Sequence, residues 1–393
     1  MSSTTSQLGD AVLRYQEEHR QDFIDLLCAL VEIESPSLEP QRQQPVLKLL
    51  EEEFQALGMS TRRTYGPRSG GHLLARTPRK PGVQRPYQVM LGHCDTVWPM
   101  GTLQTMPLKL EDGWLSGPGV YDMKAGLTMM VFALQTIKAL GLTPPVDPVV
   151  LINSDEEVGS FESTDHIKRL ARACNRAFVL EPSLGSQGQI KIARKGVGAF
   201  QVKILGQAAH AGLEPDRGAS AILELSYVIQ QLFALSNLET GTTVNVGMID
   251  GGLRPNVIAP ESQARVDVRV LSSEEGRRVE EAISKIKATT PGVKVQITGR
   301  IGRPPMELTP RNRVLWDRAQ ELGRQIGLEL EGGTAGGGSD GNTTSLFTAT
   351  LDGLGAVGRG AHAVDEGIDI EKTLQRAALL TMLLMEEASA HEG

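Results

Sequence analysis

Residues 87–95 read YQVMLGHCD, an apolar run that ends abruptly in polar side chains. The same design recurs in PVVLINSDEEVGS at residues 148–160 and in AFVLEPS at residues 177–183. Between the first two runs, LTMMVFALQTIKALG at residues 127–141 predicts a buried helix that Gly141 ends. Short apolar runs that alternate with helices predict an α/β sheet whose strands are covered on both faces.

Acidic and imidazole side chains stand just beyond the predicted strand ends. Ligands of α/β sheets bind beyond the carboxyl ends of the strands, so we expect these side chains to share one site. With two more from GPGVYDMKAG and GRGAHAVDEG, the six candidates are His93, Asp122, Glu156, Glu157, Glu181 and His362. Such a cluster would repel itself without a cation, so it predicts a site for divalent metal ions.

Each motif alone also has a purely structural explanation. Asp95 is placed to orient a metal-bound imidazole of His93, but a lone histidine at a strand end is more often only hydrogen-bonded. Asp122 precedes a helix, where the helix dipole favours a carboxylate. Glu156 and Glu157 suggest one metal ligand and one general base, in either order, with a solvated turn as the alternative.

The pattern of the sequence changes near residue 195. GAFQVKILGQ, TTVNVGMIDGG, ESQARVDVRVL and VKVQITGR alternate apolar and polar residues, as half-exposed antiparallel strands do. Helical stretches at residues 218–236 and 273–288 lie between these strands. We therefore predict an α+β domain of residues 195–304, inserted into a larger α/β domain of residues 1–194 and 305–393.

Composition argues against several classes of protein. The formal charge of −7 disfavours nucleic acid as a partner. No apolar run reaches the ~18 residues of a membrane span, and the N-terminal residues lack the apolar core of a secretion signal. Three widely spaced cysteines, Cys28, Cys94 and Cys174, fit a reducing compartment. These features predict a cytoplasmic protein that binds neither nucleic acid nor membrane.

Taken as an ordered set, the motifs resemble those of a known enzyme family. GHCDTVWP, GPGVYDMKAG, DEEVGS, EPS, HAGLEPDRGASAI, GGGSD and GAHAVDE resemble, in that order, the motifs of the M20 family of zinc metallopeptidases, in particular its glutamate carboxypeptidase branch. The similarity covers nearly all of the chain after about residue 20. It implies a zinc-peptidase-like mixed sheet flanked by helices, with an inserted α+β lid or dimerisation domain.

The resemblance also implies two divalent metal ions, zinc first, with cobalt or manganese as alternatives. One ion would be held by His93, Asp122 and Glu181, and the other by Asp122, Glu157 and His362. Asp122 would therefore bridge the two ions. Glu156 would be the general base, and Asp95 would hold the imidazole of His93 in place.

Further residues would meet the substrate, again by resemblance. His210 in HAGLEPDRGAS resembles a lid-domain histidine that stabilises the oxyanion in the active site of the neighbouring subunit, which implies a homodimer. The residues that resemble binders of a substrate carboxylate are Asn256, Arg269, Arg303, Gly337 and Ser339. Arginine suits this role because its guanidinium pairs with carboxylates bidentately, although an exposed strand arginine such as Arg269 also forms surface ion pairs.

The implied function is hydrolysis of an amide or peptide bond in a small substrate with a free carboxylate, as in a carboxypeptidase. An N-acyl amino acid deacylase or a dipeptidase with the same site is the alternative. The loop after LEPS carries Gln189 near the place where glutamate-specific members have a lysine, so glutamate preference is not implied, with Lys191 as an alternative cation. A silent binding protein is disfavoured because no catalytic motif is lost, and a nucleotide-binding protein because no apolar strand precedes GGTAGGG.

Overall fold

The computed structural model describes residues 2–78 and 85–388. The helices are α1 (Ser2–Glu18), α2 (Arg20–Glu32), α3 (Pro40–Ala56), α4 (Ala125–Ala139), α5 (Thr164–Ala171), α6 (Ala221–Phe233), α7 (Ser273–Ser284), α8 (Pro310–Gln325), α9 (Asp340–Thr344) and α10 (Ile370–Leu384). The strands are β1 (Ser60–Thr64), β2 (His72–Arg76), β3 (Tyr87–His93), β4 (Lys109–Glu111), β5 (Trp114–Ser116), β6 (Asp147–Asn153), β7 (Arg176–Val179), β8 (Ile190–Arg194), β9 (Gly196–Leu205), β10 (Thr243–Gly251), β11 (Glu261–Val270), β12 (Lys294–Arg303), β13 (Gly332–Ala335), β14 (Ala349–Leu351), β15 (Gly358–Arg359) and β16 (Gly367–Asp369). Among the described residues, no helix combines the length and apolarity that crossing a membrane requires.

The largest sheet has the strand order β1-β2-β6-β3-β7-β14. Strand β3 is parallel to both of its neighbours, β6 and β7, and β14 is parallel to β7. Strands β1 and β2 are antiparallel additions at one edge. The continuous apolar run of β6 suits this arrangement, because central parallel strands are buried on both faces. The predicted α/β fold with a mixed sheet flanked by helices is therefore confirmed.

Successive side chains of these strands point to opposite faces, and each face has its own apolar core. Met90, Val150 and Phe178 belong to a core that also contains buried residues of α4 and α10. Val89, one residue from Met90, belongs to a second core that includes Ile167 of α5. Burying one such side chain fully contributes roughly 1.5–3 kcal/mol. Helices on both faces thus fix the strands and, with them, the loops that follow the strands.

The chain divides into two compact units. The larger comprises Met1–Ile192, Leu308–Thr334 and Ser339–Gly393, and the smaller comprises Ala193–Glu307 and Ala335–Gly338. The smaller unit contains an antiparallel sheet with the strand order β10-β11-β9-β12. Helices α6 and α7 each begin after a serine whose hydroxyl accepts a backbone N–H three residues later, a common N-terminal cap.

One core holds the smaller unit together. Leu225 and Val228 of α6 and Ile283 of α7 are buried together with Val202 and Val268 of the sheet. Strand β9 alternates buried residues with half-buried or exposed ones, so one face of the sheet meets the helices and the other does not. The unit is therefore α+β in composition.

A short segment of the loop that contains GGTAGGG belongs to the smaller unit. The domain predicted from the sequence, residues 195–304, did not include this segment. The Lys195 backbone N–H donates to Ala335 O at 2.9 Å, and Arg194 Nη1 donates to Gly337 O at 3.2 Å. These bonds attach Ala335–Gly338 to the start of the smaller unit.

Two histidines that are not among the predicted metal ligands pack against each other. The rings of His72 in β2 and His166 in α5 lie 4.0 Å apart, and His72 is almost fully buried. Burial, His166 and Arg62 together lower the pKa of His72 to about 4, although Glu162 opposes the change. A folded-state pKa below the ordinary 6.5 means that the unfolded chain binds this proton more readily than the folded chain.

We expect His72 to weaken the fold as the pH falls from 6.5 to about 4. Its stabilising effect is fully present above pH 6.5 and should decrease by about 2 kcal/mol by about pH 5. Urea unfolding of metal-free protein at about pH 7.5 and pH 5 measures this loss. The variant His72→Gln should show a smaller loss, and an equal loss in both proteins would contradict the prediction.

Candidate metal centre

The carboxyl ends of the central strands bring four candidate side chains to one edge of the sheet. His93 is the last residue of β3. Glu156 and Glu157 lie in the loop after β6, and Glu181 follows β7 by two residues. Because β6, β3 and β7 are adjacent and parallel, their loops emerge side by side.

Two further candidates reach the same place from other elements. Asp122 lies in the turn before α4, and His362 lies in the loop between β15 and β16. His93 Nε2 is 3.3 Å from Asp122 Oδ1, and His362 Nε2 is 3.4 Å from Asp122 Oδ2. Glu181 Oε1 is 3.4 Å from His93 Nε2, and Glu157 Oε1 is 3.1 Å from His362 Nε2. Asp122 therefore stands between two imidazoles, each of which also faces a glutamate.

This set of side chains fits divalent metal ions. Asp122 Oδ1 is buried and has no hydrogen-bond partner among the described residues, which is costly for a carboxylate oxygen unless a cation satisfies it. Two triads have ligand atoms within 4.8 Å of one another, namely His93 with Glu156 and Glu181, and His93 with Asp122 and Glu157. Imidazole nitrogens and carboxylate oxygens are both ligands of zinc. Either glutamate of the adjacent pair can thus approach a metal position.

The imidazoles and carboxylates of the cluster shift one another's pKa values. Burial lowers the pKa of His93, but the nearby carboxylates of Asp122, Asp95 and Glu181 outweigh burial and hold this pKa well above its ordinary value. Hydrogen bonds to Asp122 and Glu157 raise the pKa of His362 to about 10. Burial would raise the pKa of Asp122, yet the two imidazoles hold it well below its usual range. Metal binding at this centre should therefore release protons.

Asp95 supports the cluster in two ways. His93 Nδ1 lies 2.9 Å from the Asp95 backbone oxygen and 3.5 Å from its carboxylate, so a proton on Nδ1 leaves Nε2 as the ligand atom. The buried Asp95 carboxylate also accepts the backbone N–H groups of Glu156 and Glu157, both at 3.2 Å. It therefore fixes the loop that carries both glutamates as well as the imidazole.

Two further carboxylates shape that glutamate loop and were missed by the sequence analysis. Asp155 accepts the backbone N–H groups of residues 162 and 163 at 2.7 and 3.2 Å. Asp340, at the start of α9, accepts Ser160 Oγ at 2.5 Å and Asn153 Nδ2 at 2.6 Å. Their signals in the sequence are the first acid of SDEE and the last residue of GGGSD, both adjacent to residues that were singled out.

The loop after Glu181 brings a cation close to the cluster. Lys191 Nζ lies 3.9 Å from Glu181 Oε2, and the lysine is largely buried. Gln189, the other residue of this loop that the sequence analysis considered, donates to Glu331 at 3.1 Å on the surface. Lys191 is thus the better placed of the two residues to meet an anionic group.

His210 and Asn256 lie in the smaller unit, in neighbouring exposed segments. The Asn256 backbone oxygen accepts the N–H of Ala211 at 3.0 Å. His210 Nδ1 accepts the backbone N–H groups of Gly212 at 3.2 Å and Leu213 at 3.1 Å. The neutral ring therefore carries its proton on Nε2, which makes Nε2 a hydrogen-bond donor.

The other predicted carboxylate-binding residues have different surroundings. Arg269 already holds a carboxylate, because its Nε and Nη2 donate to Asp267 at 2.8 to 3.2 Å. Ser339 is fully buried. Its hydroxyl caps the N-terminus of α9 and donates to the buried Asp352. Gly337 is exposed, and Arg303 is half-buried at the end of β12. Contact with a substrate carboxylate stays a prediction for all four residues.

The sequence profile of peptidase family M20/M25/M40 matches residues 89–386, which is more than half of the chain and includes the span from His93 to His362. The chain belongs to this family. The family consists of metal-dependent hydrolases of amide or peptide bonds, so this M20 protein is a hydrolase of that kind. The resemblance noted in the ordered motifs is confirmed.

Relatives of this M20 protein cover nearly its whole length. It is 27% identical to carboxypeptidase G2 of Pseudomonas sp. (strain RS-16), over 92% of this chain and 88% of the relative. It is 29% identical to succinyl-diaminopimelate desuccinylase of Cereibacter sphaeroides, over 90% of this chain and 96% of the relative. The solved structure of aminopeptidase PepT from Bacillus cereus has a TM-score of 0.77 at 22% identity and covers 93% of this chain and 98% of its own. The M20 family metallo-carboxypeptidase Sso-CP2 from Sulfolobus solfataricus, with a TM-score of 0.71 at 15% identity over 92% of this chain and 98% of its own, shares the fold as well.

Proposed function

We propose that this M20 protein uses two divalent metal ions to hydrolyse an amide or peptide bond in a small substrate with a free carboxylate. The ions are zinc, with cobalt or manganese as alternatives. The observation that carries this proposal is Asp122, whose two oxygens face one imidazole each and whose Oδ1 lacks a hydrogen-bond partner among the described residues. The ligands would be His93, Asp122 and Glu181 for one ion, and Asp122, Glu157 and His362 for the other.

The residues around the metal ligands supply the proton transfers. When bound, the ions would polarise the scissile carbonyl and acidify a water molecule. Glu156 would accept the proton of the attacking water and later pass it to the leaving amine. His210, with its proton on Nε2, suits donation to the developing oxyanion.

Release of a C-terminal amino acid, as by a carboxypeptidase, is the favoured form of this reaction. Lys191 supports a substrate with an anionic group, because it places a largely buried ammonium 3.9 Å from Glu181. Deacylation of an N-acyl amino acid is the second candidate, since a desuccinylase by its name removes an acyl group and is 29% identical to this chain. A panel of N-acyl amino acids, folate-like glutamates and dipeptides separates these reactions from dipeptidase activity.

A homodimer formed through the smaller unit is part of the proposal. Strand β10 is an edge of its sheet and carries the exposed apolar side chains of Met248 and Ile249. Helix α6, which packs on β10, exposes Ile222, Leu223 and Tyr227. An unpaired edge beside an apolar helix face is suited to pairing with a second copy of itself.

Metal removal tests the proposed function directly. Dialysis against a chelator should abolish hydrolysis, and zinc, cobalt or manganese should restore it, because the proposed chemistry needs the ions. Elemental analysis should find two ions per chain in the wild type and fewer in His362→Ala. His166→Gln, which changes a histidine outside the centre, should keep both ions. Full activity in metal-free protein would refute the proposal.

A further inference from the structure

Glu366 is a buried carboxylate that the proposed mechanism does not use. It lies immediately before β16, and its side chain is 0% exposed. Its Oε1 accepts the backbone N–H groups of Tyr121 at 2.9 Å and Asp122 at 3.0 Å. Its Oε2 accepts the indole N–H of Trp98 at 2.7 Å and the backbone N–H of Gly119 at 2.9 Å. Each carboxylate oxygen therefore receives two donors.

These donors lie on two of the segments that carry proposed metal ligands, and Glu366 itself lies on a third. Trp98 is in the segment that follows His93, and Asp122 stands between the two imidazoles. Glu366 shares the loop between β15 and β16 with His362, and its backbone N–H donates within that loop at 3.0 Å. Three ligand-bearing segments from distant parts of the sequence thus meet at one carboxylate.

The position of Asp122 depends on how its main chain is held. The turn before α4 is not helical at Asp122, where φ is −116° and ψ is 93°, so its N–H cannot rely on a helical partner. Hydrogen bonds to an ionised acceptor are shorter and roughly twice as strong as neutral ones. Without Glu366, buried donors in this turn would be left unsatisfied. The carboxylate therefore fixes the backbone from which the Asp122 side chain projects.

We propose that Glu366 is a positioning residue for the metal centre, which holds the main chain of Asp122 in register with His93 and His362. The inference rests on the proposed function, and it assigns Glu366 no contact with metal or substrate. The competing explanation is that Glu366 only stabilises the turn. In that case its loss would lower the free energy of unfolding but leave the metal affinity of the folded protein unchanged.

Glu366→Gln separates these explanations. The amide offers one acceptor oxygen in place of two, so its NH₂ group would face two of the four donors. In metal-free protein, hydrogen–deuterium exchange of residues 117–123 should become faster than in the wild type. Zinc affinity, measured by competition with a chromophoric chelator, should fall by about 10- to 100-fold, as is usual for partners that orient metal ligands.

Glu34→Gln is the matched control. Glu34 also accepts two backbone N–H groups, from Gly101 at 2.8 Å and Leu103 at 3.0 Å, but neither donor is a proposed ligand or adjoins one in the sequence, as Tyr121 adjoins Asp122. This variant should lose local protection from exchange while keeping wild-type zinc affinity. If Glu366→Gln does not fold, Glu366→Asp keeps the charge and shortens the reach, and Glu34→Asp becomes its control.

The outcomes distinguish this inference from the proposed function. Wild-type protein that binds no metal would refute the proposed function, and the role of Glu366 with it. Wild-type protein that binds two ions, together with a Glu366 variant whose zinc affinity equals that of its Glu34 control, would refute the role of Glu366 alone. Faster exchange at residues 117–123 combined with a selective loss of zinc affinity supports it.

Discussion

Replacing Glu156 with glutamine is expected to lower kcat by a factor on the order of 10²–10⁴ while two metal ions stay bound. Glutamine cannot accept the proton of the attacking water, so the chemical step loses its base. KM should change little, because substrate binding does not require that proton transfer. Elemental analysis and steady-state kinetics on the same preparation measure both effects.

Glu157→Gln is the matched comparison, because the two glutamates are adjacent and Asp95 holds both of their backbone N–H groups at 3.2 Å. Glu157 Oε1 lies 3.1 Å from His362 Nε2. Glu156 instead belongs to the triad with His93 and Glu181. We therefore expect Glu157→Gln to lose metal together with activity. Loss of metal from the Glu156 variant, with retention in the Glu157 variant, would reverse the two assigned roles.

The strand-end side chains could be predicted from the sequence because their signal is local. In YQVMLGHCD, the apolar run predicts a buried strand, and its polar end marks the place where the chain leaves the sheet. Adjacent parallel strands then bring their exits together, so His93, Glu157 and Glu181 could be expected at one edge. No knowledge of distant contacts was needed for that step.

The carboxylates behind the cluster could not be predicted in this way, because they meet partners far away in the chain. Glu366 binds the N–H of Asp122 across 244 positions, and Asp340 binds Ser160 across 180. Both acids lie next to loops, where neither helical nor strand periodicity restricts the direction of a side chain. In the sequence, GAHAVDE indicates His362, and GGGSD indicates Gly337 and Ser339. Only the structure shows what Glu366 and Asp340 of these motifs bind.

Two local features of the structure have signals in the sequence. Asp267 and Arg269 are two residues apart in β11, so the alternation of a strand places both on one face, and their ion pair follows from that spacing. The apolar side chains of residues 10–34 recur at helical spacing, but these residues belong to two helices, α1 and α2. The break between the helices falls at His19, where φ is −108° and ψ is 21°. The His19 ring Nδ1 and the His19 backbone N–H both lie within hydrogen-bond distance of the Tyr15 carbonyl oxygen.

Replacing His210 with alanine is expected to lower kcat by about 10²–10³-fold, the usual effect of removing one oxyanion donor. Metal content should stay at the wild-type level, because His210 belongs to the smaller unit and the proposed ligands to the larger one. The fold should also tolerate the change, because the ring is exposed. The backbone N–H groups of Gly212 and Leu213, which bind Nδ1, can form hydrogen bonds with water instead. A variant that loses metal or unfolds would argue for a structural role instead.

Mixing two inactive variants tests whether His210 completes the site of a partner subunit. In a heterodimer of His210→Ala and Glu156→Gln, action across the interface gives one site with both residues intact and one site with both lesions. Subunit exchange should then restore activity up to half that of a wild-type dimer. If His210 acts within its own chain, every site keeps one lesion and activity stays at the level of the separate variants. Proven exchange without recovery would therefore exclude the arrangement across the interface, and light scattering that finds only monomers would exclude the dimer on which it depends.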